Sequence, residues 1–115
     1  VEPGERPYEA EIRNRLEWEQ KAVGGLIEPI YNGDGTILVG NDEAKLLGMK
    51  GNRHLGDGGS IIAGAFFICG DAGENFRSLT DAETERYMRL FAEPEDISDA
   101  EVQADSGYIL YGFYY

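Results

Sequence analysis

The residues best equipped for chemistry sit in one short stretch. Ala44 to Leu55 carries Lys45, Lys50, Arg53 and His54 and no acidic side chain. Its lysines and arginine give a formal +3, so the rest of a chain of net charge −12 sums to −15. Gly48, Gly51, Gly56, Gly58 and Gly59 surround these cations. Glycines let backbone N–H groups approach an anion, and an arginine offers a bidentate fork. The pattern predicts a grip on a small anionic, nucleotide-like ligand by Arg53, Lys50, Asn52 and His54, with Asn41 completing the set. The plainer alternative is that these cations only neutralise neighbouring carboxylates, since surface ion pairs are common and weak.

Other chemistry is thinly provided. There is one histidine, one cysteine and no G-x-S-x-G, so no catalytic nucleophile is named. His54 lacks the His and Cys companions of a zinc site. Asp34 and Asp42 with Asn32 and Asn41 lack calcium-loop spacing, and turn chemistry explains them better. Acidic residues are plentiful, but no spacing singles out a catalytic carboxylate pair. No metal and no cofactor is expected, and binding is the expected role rather than catalysis. Cys69 ends the apolar run Ile61–Cys69 and reads as a buried structural thiol.

Charge narrows the partners. With 22 acidic and 10 basic residues, direct binding to nucleic-acid phosphates or to an anionic membrane surface is disfavoured. Glu93, Glu95, Asp96, Asp99, Glu101 and Asp105 form a run without a basic residue. It reads either as a solvated helix face or as a mimic of the phosphate rail, offered to a basic protein. No apolar stretch approaches the length of a membrane span and no signal peptide is visible, so the cytoplasm is the expected compartment. The chain opens on Val1 without Met, which leaves room for an earlier start.

The elements that must position these groups follow from the pattern. A length of 115 residues with 42% hydrophobic content fits one domain. Val1–Gly4 reads as the end of a strand, and Pro7–Ile12 alternates like a half-exposed one. Asn14 with Glu17 predicts a capped helix that Gly24-Gly25 stops. Leu26–Tyr31 is a strand that Pro29 makes either an edge strand or a bulged one, and Asn32-Gly33-Asp34-Gly35 turns it into Thr36–Gly40. Asn41-Asp42-Glu43 caps a short turn, and 48–59 reads as a glycine-rich loop. Ile61–Cys69 is the expected central buried strand, with Gly64 marking a bulge or close approach. Thr80-Asp81-Ala82-Glu83 is a capping box opening a helix over Thr80–Ala92, with Thr84, Tyr87, Met88 and Phe91 facing inward. Ser98–Glu101 opens a shorter polar helix that Gly107 stops. Tyr108–Tyr115 reads as a final aromatic strand, a candidate with the Pro29 edge for self-association into a homo-oligomer. The sum is an α+β fold with a mainly antiparallel sheet and two or three helices.

Several short motifs recur here in a fixed order. They are Val23–Glu28, Asn41–Gly48, Gly51-Asn52-Arg53-His54-Leu55, Ile61–Ile68 and Phe76–Asp81. In this the chain resembles the domain-of-unknown-function 3846 family over residues 1–92, leaving 93–115 as an acidic helix and aromatic strand packed on, or extending, the same domain. The resemblance implies a setting in phages, plasmids and conjugative elements, where small accessory proteins often blunt host defence. It implies nothing about mechanism. The expected function is a non-enzymatic binding protein that sequesters a nucleotide-like defence signal. Two alternatives are an acidic inhibitor of a host defence protein and an enzyme acting on a nucleotide.

Overall fold

The computed structural model describes residues 1–55 and 60–106. In chain order these form α1 (Leu16–Val23), β1 (Ile27–Tyr31), β2 (Thr36–Asn41), β3 (Gly51–His54), β4 (Ile61–Ala63), β5 (Phe67–Asp71), β6 (Phe76–Arg77), α2 (Asp81–Leu90) and α3 (Asp99–Ser106). One antiparallel sheet runs β1-β2-β5-β6, and β3 pairs with β4 in a second. The architecture is α+β with mainly antiparallel pairing.

The predicted hairpin sets the centre. Gly33 and Gly35 take positive φ (81° and 85°), and β2 returns along β1 from them. Every residue of β2 is buried, because neighbouring strands flank it on both sides. β1 lies at the sheet edge, as its proline requires. Asn32 donates to Thr36 O, so by ladder alternation Pro29 turns its missing N–H outward, and no inter-strand bond is lost.

The long apolar run departs from expectation. Ile61–Cys69 is not one central strand; it breaks into β4 and β5, which belong to different sheets. Gly64 makes the break at φ 75°, where a Cβ would stand 2.9 Å from the Met49 sulfur. The interior places of the four-stranded sheet go to β2 and to β5, the second half of that run, and only β2 is buried throughout. The expected 48–59 loop likewise contains β3, with Gly51, Asn52 and Arg53 buried.

Two apolar clusters result. Ala44, Ile61 and Ala63 pack with Ile97 and Val102, so α3 and the segment leading to it are anchored despite their acidity. Leu38, Phe66 and Phe91 form the other, with Val1, Ile30, Ile62, Ile68 and Tyr87 around them. Consecutive residues of β4 thus serve different clusters, as strand alternation dictates.

The capping box of α2 forms in full. Phe91 is buried at its C-cap, stacked on Tyr87 and edge-on to Phe66. Met88, however, is exposed rather than packed inward. The cap of α1 also differs. Asn14 donates its amide to Phe76 O at 3.0 Å, and Arg15 takes the cap position with no side-chain bond. Residues 7–12 form no strand, and Tyr8 to Glu11 are exposed in succession rather than in alternation. Tyr108–Tyr115 lies outside the described residues.

Candidate functional site

Strand β3 is the natural place to begin, because it carries three of the five predicted ligand-binding residues. Asn52 and Arg53 are about 0% and 1% exposed. Asn52 donates to Val1 O (3.0 Å) and Gly64 O (2.8 Å), and accepts from Arg53 Nη1 at 2.7 Å. Arg53 Nη2 donates to Phe91 O (3.1 Å) and Glu5 O (2.6 Å), and Nη1 also reaches Asn52 O (3.1 Å). One guanidinium therefore joins the amino-terminal turn, β3 and the end of α2. The Phe91 carbonyl belongs to a helix C-terminus, where a cation is electrostatically favoured. Burial lowers the Arg53 pKa, and Glu95 works against that fall. The donors are turned into the protein, so the Arg53 fork is not presented to solvent.

The other island residues are engaged singly. The His54 main-chain N–H donates to Glu95 Oε2 (3.0 Å) and its ring Nδ1 lies 2.5 Å from Glu95 Oε1. Burial alone would raise the Glu95 carboxyl, but these two bonds hold it below its ordinary value. Lys45 Nζ donates to Asp105, whose same oxygen accepts the Ile61 N–H, and the lysine bond first of all lowers the Asp105 pKa. Asn41 is buried at the end of β2, where it donates to Val23 O and accepts from Glu43 N in the turn that follows. Lys50 is exposed. Asn52 and Arg53 are thus brought together, His54 faces Glu95, Asn41 serves a separate turn, and Lys50 alone of the five stands in solvent. The +3 island is consumed largely by the acidic tail and by main-chain carbonyls.

A second polar cluster was not singled out by the sequence. Arg77 forks onto Glu83 (2.8 and 3.1 Å) and also donates to Gly35 O and Ser78 O. Its bond, with that from Thr80, brings the Glu83 pKa down to about 2. Asp34 accepts from Thr36, Tyr87 and Arg86, and the Thr36 and Tyr87 hydroxyls chiefly hold it at about 2 as well. The available signals were Glu83 in the capping box and Arg77 in the Phe76–Asp81 motif.

A cleft of about 660 Å³ opens beside β5. Its walls are the segment 7–12, Glu19 and Ala22 of α1, and Tyr87 of α2. Glu19 is buried there, which raises its pKa. Cys69 borders it with a free thiol pushed up to about 12, mainly by burial, and so is not a thiolate at neutral pH. Among the described residues no cluster of three or more His, Cys, Asp or Glu could hold a metal ion, and no helix is long and apolar enough to cross a membrane.

The family model described as Domain of unknown function (DUF3846) matches residues 1–92, and the chain is a member of that family. No curated protein and no solved structure matches it.

Proposed function

We propose that the chain is a non-enzymatic binding protein whose partner is another protein with a basic surface. The observation that carries this is the distribution of spent and free charge. The cations a captured anion would need are engaged internally, whereas Asp96, Asp99 and Glu101 remain exposed at the start of α3. Glu93 adds to them; among the described residues its ion pair is a 3.8 Å contact to an exposed Arg6. Such a face attracts a basic partner and speeds its encounter. The mobile-element setting makes a nucleic-acid-handling host defence protein the first class to try. The small-anion reading retains Lys50 as its one exposed cation among the named residues.

Immobilised chain should capture nucleic-acid-binding proteins from a bacterial host and release them at high salt. Joint replacement Asp96→Lys, Asp99→Lys and Glu101→Lys should abolish capture. Calorimetric titration with nucleotides separates the alternatives. Tight binding that Lys50→Ala destroys would restore the small-anion reading, and turnover would restore an enzyme. Self-association is a companion proposal, supported by the β1 edge, which no other described strand pairs, and by its exposed Tyr31. Sedimentation at micromolar concentration tests it, and a purely monomeric species defeats it.

A further inference from the structure

Strand β5 is paired with β2 on one side from Phe67 to Gly70. Among the described residues, it is held on its other side only at the two ends. At one end Val1 N donates to Phe66 O at 2.7 Å and Phe66 N donates to Val1 O at 3.0 Å. That reciprocal exchange marks an antiparallel bonded pair. At the other end β6 takes Gly70 and Asp71. Asp71 donates to Gly35 O, on the β2 side, so alternation turns the main-chain groups of Phe66, Ile68 and Gly70 away from β2. Ile68 therefore faces the 660 Å³ cleft with no described strand beside it.

We infer that this gap is a strand receptor, and that its occupant is an extended segment joined to Val1 and running antiparallel to β5. With Val1 opposite Phe66, the residue immediately ahead of Val1 falls opposite Phe67, the next opposite Ile68 and the third opposite Cys69. A fourth would fall opposite Gly70, which Arg77 already holds. The gap is three residues long and closed at both ends, which suits a covalent continuation of Val1 and not a free peptide passing through. The middle residue exchanges both main-chain bonds with Ile68 and shares its face, where Val1 and Ile68 already pack on Leu38, Phe66 and Phe91. The first and third residues share the face of Phe67 and Cys69, where the cleft is walled by Glu19 and Ala22. A strand covered on both faces is apolar throughout, so valine and isoleucine suit all three places. Burial already lowers the pKa of the Val1 ammonium, and a peptide N–H in its place would make the same bond without the buried charge.

Two extended chains test this, one with Val-Ile-Val joined ahead of Val1 and one with Asp-Gly-Pro in the same place. The reference is the 115-residue chain, and the readouts are amide exchange at Ile68 and the thermal midpoint. Val-Ile-Val should slow Ile68 exchange at least about tenfold and raise the midpoint by several degrees, while Asp-Gly-Pro does neither. Equal Ile68 exchange in all three chains would overturn the inference. So would protection that grows with protein concentration, because a second copy would then be filling the gap.

Discussion

Arg53 and Arg77 are both forked donors, yet they hold the molecule by opposite means. Arg53 is buried and bonds to carbonyls and one amide, with no carboxylate in direct hydrogen bond. Arg77 is about a third exposed and clamps one carboxylate with both arms. Its pKa is accordingly raised by Glu83, whereas burial lowers that of Arg53. Water can replace the partners of Arg77 when the pair is broken. It cannot easily reach the acceptors that Arg53 serves, and a buried group left without its bond costs its full desolvation. An arginine within a family motif therefore need not mark a ligand; it can be a crossbar.

The sharpest way to break this comparison is to remove the buried fork. Arg53→Met should destabilise by more than about 3 kcal/mol in chemical denaturation, because Phe91 O, Glu5 O and the Asn52 side chain lose their donor together. Arg53→Lys should recover little, since an ammonium cannot span those three acceptors. A loss below about 1 kcal/mol would return Arg53 to the surface class. Phe91→Ala keeps the carbonyl and removes the packed ring, and should cost about 3–5 kcal/mol, against less than about 1 for the exposed Met88→Ala.

The exposed clamp should show itself through pH more than through deletion. Glu83 and Asp34 have folded pKa values of about 2, below their unfolded ones. A depressed carboxyl stabilises fully above its unfolded pKa and loses that contribution as pH falls toward the folded one. Thermal midpoints should therefore fall as pH is lowered from about 4 to about 2, through the whole of that interval. Glu83→Gln with Asp34→Asn should flatten this fall and lower the midpoint at pH 7. An unchanged acid profile would show that the clamp contributes nothing. The smallest effect is expected on β5 between the two arginines. Cys69, with its thiol pushed up to about 12, should react with a thiol reagent at neutral pH at least about 100-fold more slowly than a free cysteine.

What the sequence made legible was local chemistry. The Asn32–Gly35 hairpin, the Gly24 stop and the Thr80–Glu83 box each depend on residues within a few positions of one another, and each formed. The role of Arg53 was not legible because its acceptors Glu5 O and Phe91 O lie 48 and 38 residues away. They are main-chain carbonyls, which every residue carries. Gly64 was flagged, but an apolar run with one glycine reads equally as a bulged strand or as two strands. Only the close approach of Met49 distinguishes them. Met88 failed for a related reason, since spacing gives a helix stripe but not its width.

The junction of β3 and β4 with α3 bears on the order in which the chain can fold during synthesis. Gly51 lies so close to the segment before α3 that a Cβ there would stand 2.8 Å from Ile97, and Ile97 with Val102 closes the cluster over Ile61 and Ala63. The hairpin of β1 and β2 can form while the ribosome is still adding residues. The two-stranded sheet must wait for residues made some 40 positions later, about the spacing of Ile61 and Val102, and until they emerge its apolar side stays open to water and to chaperones.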